Sequence, residues 1–237
     1  MSNSGMIMDD PFSATQEKMA ALDVTVHQAS IALVKDEDPI GSFVLLTPKA
    51  VHTLVEHKIH VFMQHGFGGK SNFSDMDYAS AGVDFIDTFA ELSGMSNVIV
   101  KFTPFTSQQI TEMKTGQVAL STLIPTLTTA EQIMTFNAKK ATALAMNYIK
   151  DSCGMFKTDR ILSEMWSADE VSVAMSNFFL PLLETLATND RIKFVLQKDP
   201  SLMQSAYCFN GTLCNKELAE QLNLPWKDII SLCWEMN

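Results

Sequence analysis

The stretch from Gln64 to Ser71, QHGFGGKS, is where residue types and spacing first suggest chemistry, and that chemistry would be phosphate binding. Its Gly-Lys-Ser ending matches a loop in which backbone amides and a lysine converge on the anion. Gln64, however, stands where that loop needs its first glycine, and the residues after Ser71 (NFSDMD) are turn formers instead of the start of an apolar helix. Read differently, Gly66 to Ser71 is a partial dinucleotide fingerprint with serine in its last place. No acidic residue about 20 positions on ends a second strand convincingly, although Asp84 and Asp87 are nearby. A tight strand-to-helix turn needing positive φ explains the same glycines with fewer requirements.

Other candidate chemistry dissolves on inspection. His52, His57, His60 and His65 fall close together, but His52 and His57 are five apart on a helical pattern, whereas ligands sharing a helix face prefer three or four. His60 falls in a strand and His65 at its end, so surface and strand-end histidines are expected, with no metal site. Cys153, Cys208, Cys214 and Cys233 form neither a CxxC pair nor a zinc spacing. Reduced, mostly packed cysteines are expected. Without a GxSxG elbow or a recognisable Cys/His arrangement, no nucleophilic catalyst emerges.

The elements that must carry any site alternate in type. IALV (31–34) reads as a buried strand, DEDPIGS as turn chemistry, and FVLL (43–46) as a second apolar strand. Thr47 caps and Pro48 opens a helix, PKAVHTLVEHK, with Val51, Leu54 and Val55 on one side. Further strands are expected at IHVFMQ, VDFI, NVIVKF and VALSTLI, with a short helix at DMDYASAG ending at Gly82. This alternation predicts an α/β fold, a single flavodoxin-like domain whose mainly parallel sheet is flanked by helices. Beyond about residue 128 the pattern reads as helical, in AEQIMTFNAKKATALAM, SADEVSVAMSNFFLPLLETLA, KELAEQLN and PWKDIISLCW, interrupted by NDRIKFVLQKDPS and CFNGTLCNK. Residues 1–30 read as an appended segment with a short helix, capped at Ser13 or Thr15 and carrying Met19, Leu22 and Val26 along one face.

Composition bounds the rest. With 237 residues, 46% of them hydrophobic, the chain has material for a substantial core. A formal charge of −10 without clustered Lys and Arg argues against nucleic acid and anionic membrane as partners. No run of about 20 uninterrupted apolar residues and no secretory start is seen, so a soluble cytoplasmic protein is expected. Fifteen Met and fifteen Phe are expected to fill core gaps, and apolar residues on the C-terminal helices to serve either core or an oligomer interface.

These patterns join into a resemblance. IALVKDEDPIGSFVLLTP (31–48) resembles the opening of alanine dehydrogenases and the transhydrogenase α chain, where a P-K-E turn leads to R-V-A-L-T-P. HVFMQHGFGGKSNFSDMDYASAGVDFI is similar to that family's V-x-V-E-x-G-A-G…F-x-D-x-x-Y-x-x-A-G-A stretch, and NVIVKFTPF to its L-K-V-x-x-P strand. AMSNFFLPLLETLA resembles its A-L-S-N-x-x-x-P helix, and FNGTLCNKELAEQLNLPWKDI its Y-N-G-x-L-T-N-K close. The resemblance covers about residues 31–237 and implies the substrate-side, N-terminal domain, with the dinucleotide-binding insertion replaced by a short bridge at about 151–166. It also implies that no cofactor is held by this chain, since the nicotinamide site would belong to the missing part.

The family's substrate residues carry over one by one, as the resemblance places them. Its carboxylate-binding Arg falls at Phe43, its strand Glu at Gln64, the first Lys of K-V-K-E-P is kept as Lys101, the second falls at Thr103, and the acid/base His falls at Ile124. A vestigial, apolar cleft near Phe43, Lys101 and Ile124 is therefore expected, with no catalytic residue. The function implied is a pseudoenzyme serving as a binding or oligomer-assembly module, partnered by itself or by a full-length dehydrogenase paralogue. The alternative is the substrate half of a split NAD-dependent alanine dehydrogenase, completed by a separate nucleotide-binding chain.

Overall fold

A computed structural model of the chain describes residues 28–37, 41–189 and 191–234. The helix expected within the first thirty residues lies outside them, apart from the last three positions of that segment. Five short apolar segments form the parallel heart of the sheet: β1 (Ser30–Leu33), β2 (His60–Met63), β4 (Val98–Val100), β5 (Val118–Ser121) and β6 (Thr142–Ala145). Nearly every residue in them is buried, as expected for strands covered on both faces. A two-residue β3 (Asp84–Phe85) adds to the β2 edge, and the antiparallel hairpin β7 (Ala206–Phe209) and β8 (Thr212–Leu213) adds to β6. The order is β3-β2-β1-β4-β5-β6-β7-β8. Without β3, the parallel strands run in the flavodoxin-like order, with its switch point between β1 and β4.

Period-two alternation splits the core in two. Ile31, Leu33, Val61, Met63, Val98 and Val100 face one layer, formed by α1 (Pro48–Glu56), α2 (Asp75–Ser80) and the long α7 (Ala168–Thr188). Ala32, Val34, Phe62, Ile99, Ala119 and Ala143 face the other, formed by α3 (Phe89–Met95), α4 (Ser107–Glu112), α5 (Ala130–Ala138) and α10 (Lys216–Leu222). The first layer is completed by α6 (Lys157–Glu164), α8 (Ile192–Lys198), α9 (Pro200–Ser205) and α11 (Ile229–Trp234). By length and composition α7 is apolar enough to cross a membrane. Val171, Met175, Phe179 and Leu183 are nevertheless buried against the rest of the protein, as in a core helix.

Several expectations need correction. FVLL is not a strand: Val44, Leu45 and Leu46 are buried in an irregular segment that runs under α7. That helix takes two of its N–H groups, Val44 N–H donating to Ser172 Oγ at 3.0 Å and Thr47 N–H to Ser176 Oγ at 2.8 Å. AEQIMTFNAKKATALAM is α5 followed by β6, the break falling at Lys140, whose φ is 49°. CFNGTLCNK is the β7–β8 hairpin, turned by Asn210 and Gly211 with φ of 45° and 81°, as a two-residue turn between antiparallel strands requires. NDRIKFVLQKDPS holds two helices, α8 and α9, and the bridge at 151–166 contains α6. The Thr47 cap and Pro48 start of α1 stand as expected.

Candidate functional site

At the switch point the chain leaves β1 toward α1 and leaves β4 toward α4 on the opposite face, which is where open α/β sheets hold ligands. The sequence-derived candidates all follow a strand or lie in a loop at this carboxyl pole, but they separate into different surroundings. Phe43 turns its ring onto Phe102 beyond β4, edge to face at 5.1 Å between centroids. Thr103 donates through both its backbone N–H, at 2.9 Å, and its hydroxyl to Asp36 beyond β1. These two contacts lace the exits of β1 and β4 together. The cavity beside Phe43 and Asp36 is reduced to about 20 Å³, room for about one water molecule.

Lys101 is buried at 3% exposure directly after β4. Its ammonium donates to Gln109 Oε1 at 3.2 Å, an oxygen that also accepts the Thr106 N–H at 3.0 Å. Burial lowers the Lys101 pKa, with the nearby Asp36 and Glu37 charges opposing that shift. Gln64 bridges two strand exits, accepting from the Lys35 N–H at 3.1 Å and donating to the Asp87 carbonyl at 3.4 Å. Ile124 lines neither of the cavities at this pole; it precedes the short turn Pro125–Leu127, and its carbonyl accepts from Leu127 N–H and the Thr128 hydroxyl.

An open crevice of about 540 Å³ does exist here, to the β2 side of the laced exits. It is polar, lined among others by Lys35, Glu37, Gln64, His65, Asp87 and Gln109, and is a separate opening from the apolar cleft expected beside Phe43, Lys101 and Ile124. Neither Phe43, whose ring packs on Phe102, nor Ile124 lines this opening. His65 lies stacked on Phe85 at 4.4 Å and bonds through Nδ1 to Asp75 at 3.0 Å. Asp36 and Gln109, which organise this pole, escaped sequence reasoning. Asp36 sits in a run of turn formers, and Gln109 shows only as the third residue of a helix capped by Thr106.

The glycine loop does not fit a phosphate. Gly66 N–H is taken by the Asp75 carboxylate at 2.9 Å, and the N–H groups of Phe67, Gly69 and Ser71 bond to the Gln64, Gly66 and Gly68 carbonyls. Its amides are spent inside the turn, and Asp75 puts negative charge where an anion would approach. Gly66 and Gly69 have φ of 75° and 54°, the conformation the plain turn reading required.

Residues 35–164 match the sequence family described as alanine dehydrogenase/PNT, N-terminal domain. NAD(P) transhydrogenase subunit alpha of Haemophilus influenzae is 33% identical over 108 residues, 46% of this chain and 20% of that protein. The corresponding subunit of Cereibacter sphaeroides is 28% identical over 120 residues, 51% of this chain and 23% of its own length. The chain thus spans about a fifth of these relatives. A solved L-alanine dehydrogenase superposes with a TM-score of 0.50 at 22% identity, over 56% of this chain and 37% of that one, a likeness of fold alone.

Proposed function

The chain belongs to the alanine dehydrogenase/PNT N-terminal domain family, and from that membership we propose that it is a noncatalytic binding or oligomer-assembly module. The observation that carries this is the laced switch point, where Asp36–Thr103 and Phe43–Phe102 occupy the space between the β1 and β4 exits. A keto acid placed there would meet a phenyl ring instead of a guanidinium. Loss of such a charge-assisted pair removes about 1.5–3 kcal/mol of binding. Loss of the proton donor, assigned to Ile124 by the family resemblance, would typically cost a further 10²–10⁴ in rate. The one retained cation, Lys101, is engaged by Gln109 beneath the surface. In this proposal the chain acts in the cytoplasm and associates with a second copy or with a full-length dehydrogenase paralogue.

A second reading has its own support. The polar crevice of about 540 Å³ lies next to Gln109 and hence to Lys101, a buried lysine with a lowered pKa of the kind that marks functional sites. The chain would then be the substrate half of a split enzyme, with a separate chain supplying the nucleotide site. The two readings separate on purifying the chain with and without the paralogue and measuring NAD-dependent alanine oxidation. The module reading expects turnover by the paralogue alone to be unchanged in kind. Turnover that requires this chain would replace it with the split enzyme.

A further inference from the structure

A second, larger cavity, about 680 Å³, lies between α6, α7, α8 and α9 and shares no residue with the polar crevice. We propose that it binds a small amphiphile with an apolar body and a single anionic head. The volume falls in the range of roughly 300–1,000 Å³ typical of small-molecule sites, which are mostly apolar with a few placed polar groups. Its walls include Ile149, Ile161, Phe178, Leu182, Val195 and Leu202. Four helices wall this half-open groove, so a short alkyl or aryl body fills a concavity that a flat protein face would leave empty.

Charge at the rim selects the head group. The two lining carboxylates are already committed: Glu164 accepts from Arg160 at 3.0 Å, and Asp199 caps α9 through the Ser201 and Leu202 N–H groups at 2.9 and 3.0 Å. Arg160 is held in addition by Asp151 at 2.7 Å. Lys157 and Lys198 also line the cavity, and among the described residues neither has a carboxylate partner. The Lys157 ammonium sits 5.9 Å from the centre of the Phe178 ring, at the junction of apolar wall and charged rim. The lining thus carries three cations, Lys157, Arg160 and Lys198, against two carboxylates, and Lys157 and Lys198 are the two cations without an ion-pair partner among the described residues. On α7 Pro181 has no N–H to give the Asn177 carbonyl, and both residues line the cavity, so a hydroxyl on the ligand body would find an acceptor there.

The test is calorimetric titration of the full chain with octanoate, decanoate and dodecanoate below their micelle concentrations, with 1-decanol as the neutral control. Each added methylene should tighten binding about fourfold until the cavity is full. Decanoate should bind at least about tenfold more tightly than 1-decanol. Lys157→Gln with Lys198→Gln should erase that preference, and Ala174→Trp, which fills the cavity from α7, should abolish uptake. Should Ala174→Trp fail to fold by circular dichroism, the double lysine variant still decides. Affinity independent of chain length, or equal for acid and alcohol, would overturn the proposal. So would a chain that takes up no fatty acid but forms a dimer in sedimentation that Ala174→Trp disrupts, since the cavity would then be a contact between copies.

Discussion

Replacing both Ser172 and Ser176 by alanine tests how the two ends of the chain are joined. Their hydroxyls accept the Val44 and Thr47 N–H groups across 128 and 129 residues of sequence, at 3.0 and 2.8 Å. Both serines are buried, at 1% and 3% exposure, so water has little access to the orphaned donors. Each lost acceptor should cost about 1–3 kcal/mol, the penalty of a buried unsatisfied polar group. Alanine returns about 0.5 kcal/mol per site through helix propensity. The hydroxyls also donate to Ala168 and Ser172 carbonyls one turn back, but loss of those bonds orphans little because a helix carbonyl keeps its own N–H partner. The double variant should therefore be destabilised by about 1–5 kcal/mol, read as a lower urea midpoint at unchanged m, with the midpoint of thermal unfolding falling about 2–4 °C per kcal/mol. Ser163→Ala, at an exposed serine on α6, is the control and should stay within about 0.5 kcal/mol. A double variant indistinguishable from that control would refute the claim that α7 supplies the backbone partners of residues 44–47.

Three further outcomes follow from particular side chains. Lys101→Met should stabilise the fold by about 1–2 kcal/mol, because it removes a poorly compensated buried ammonium while Gln109 keeps the Thr106 N–H. A lysine with a lowered folded pKa costs stability below that pKa and ceases to as pH rises toward the ordinary value of 10.5, so the advantage of the variant in urea melts should shrink as pH is raised toward 10.5. Gly211→Ala should cost about 1–3 kcal/mol, since φ is 81° and the new Cβ would lie 2.7 Å from the Asn137 carbonyl oxygen; Gly116→Ala, with φ of 79° but open space, should cost less in the same chemical denaturation assay. In native protein a thiol reagent should label exposed Cys153 first, with Cys208 and Cys214 protected, because burial pushes the Cys214 thiol up to about 12; mass spectrometry after a short pulse reads the order.

The sheet was legible where local signals and burial agreed. NVIVKF and IHVFMQ each hold an unbroken apolar run, VIV and VFM, and Thr47-Pro48 is a helix start whose chemistry is local. Where identity depends on partners distant in sequence, the pattern misled. Thr142–Ala145 is rich in alanine and leucine, which favour helix, yet it lies between β5 and β7 and is a strand because both edges are paired. FVLL has the apolar content of a strand, but the N–H groups of Val44 and of Thr47 just after it go to serines on α7 that no window around it contains. Asn210-Gly211 was a readable hairpin signal, missed because AYCF and TL flanking it are very short. At the candidate site the sequence located the carboxyl pole through Gln64, Lys101 and Thr103. It could not show that Asp36, from a turn, crosses to Thr103, nor that Phe43 spends its ring on Phe102.

The noncatalytic proposal rests on the space between the β1 and β4 exits being taken up by the Asp36–Thr103 and Phe43–Phe102 contacts. Calorimetric titration of the full chain with pyruvate, alanine and NAD in turn tests it most directly. No saturable heat is expected from any of the three. Saturable pyruvate binding that Lys101→Met abolishes would contradict it, because the buried lysine would then be reaching a carboxylate that the laced loops should exclude.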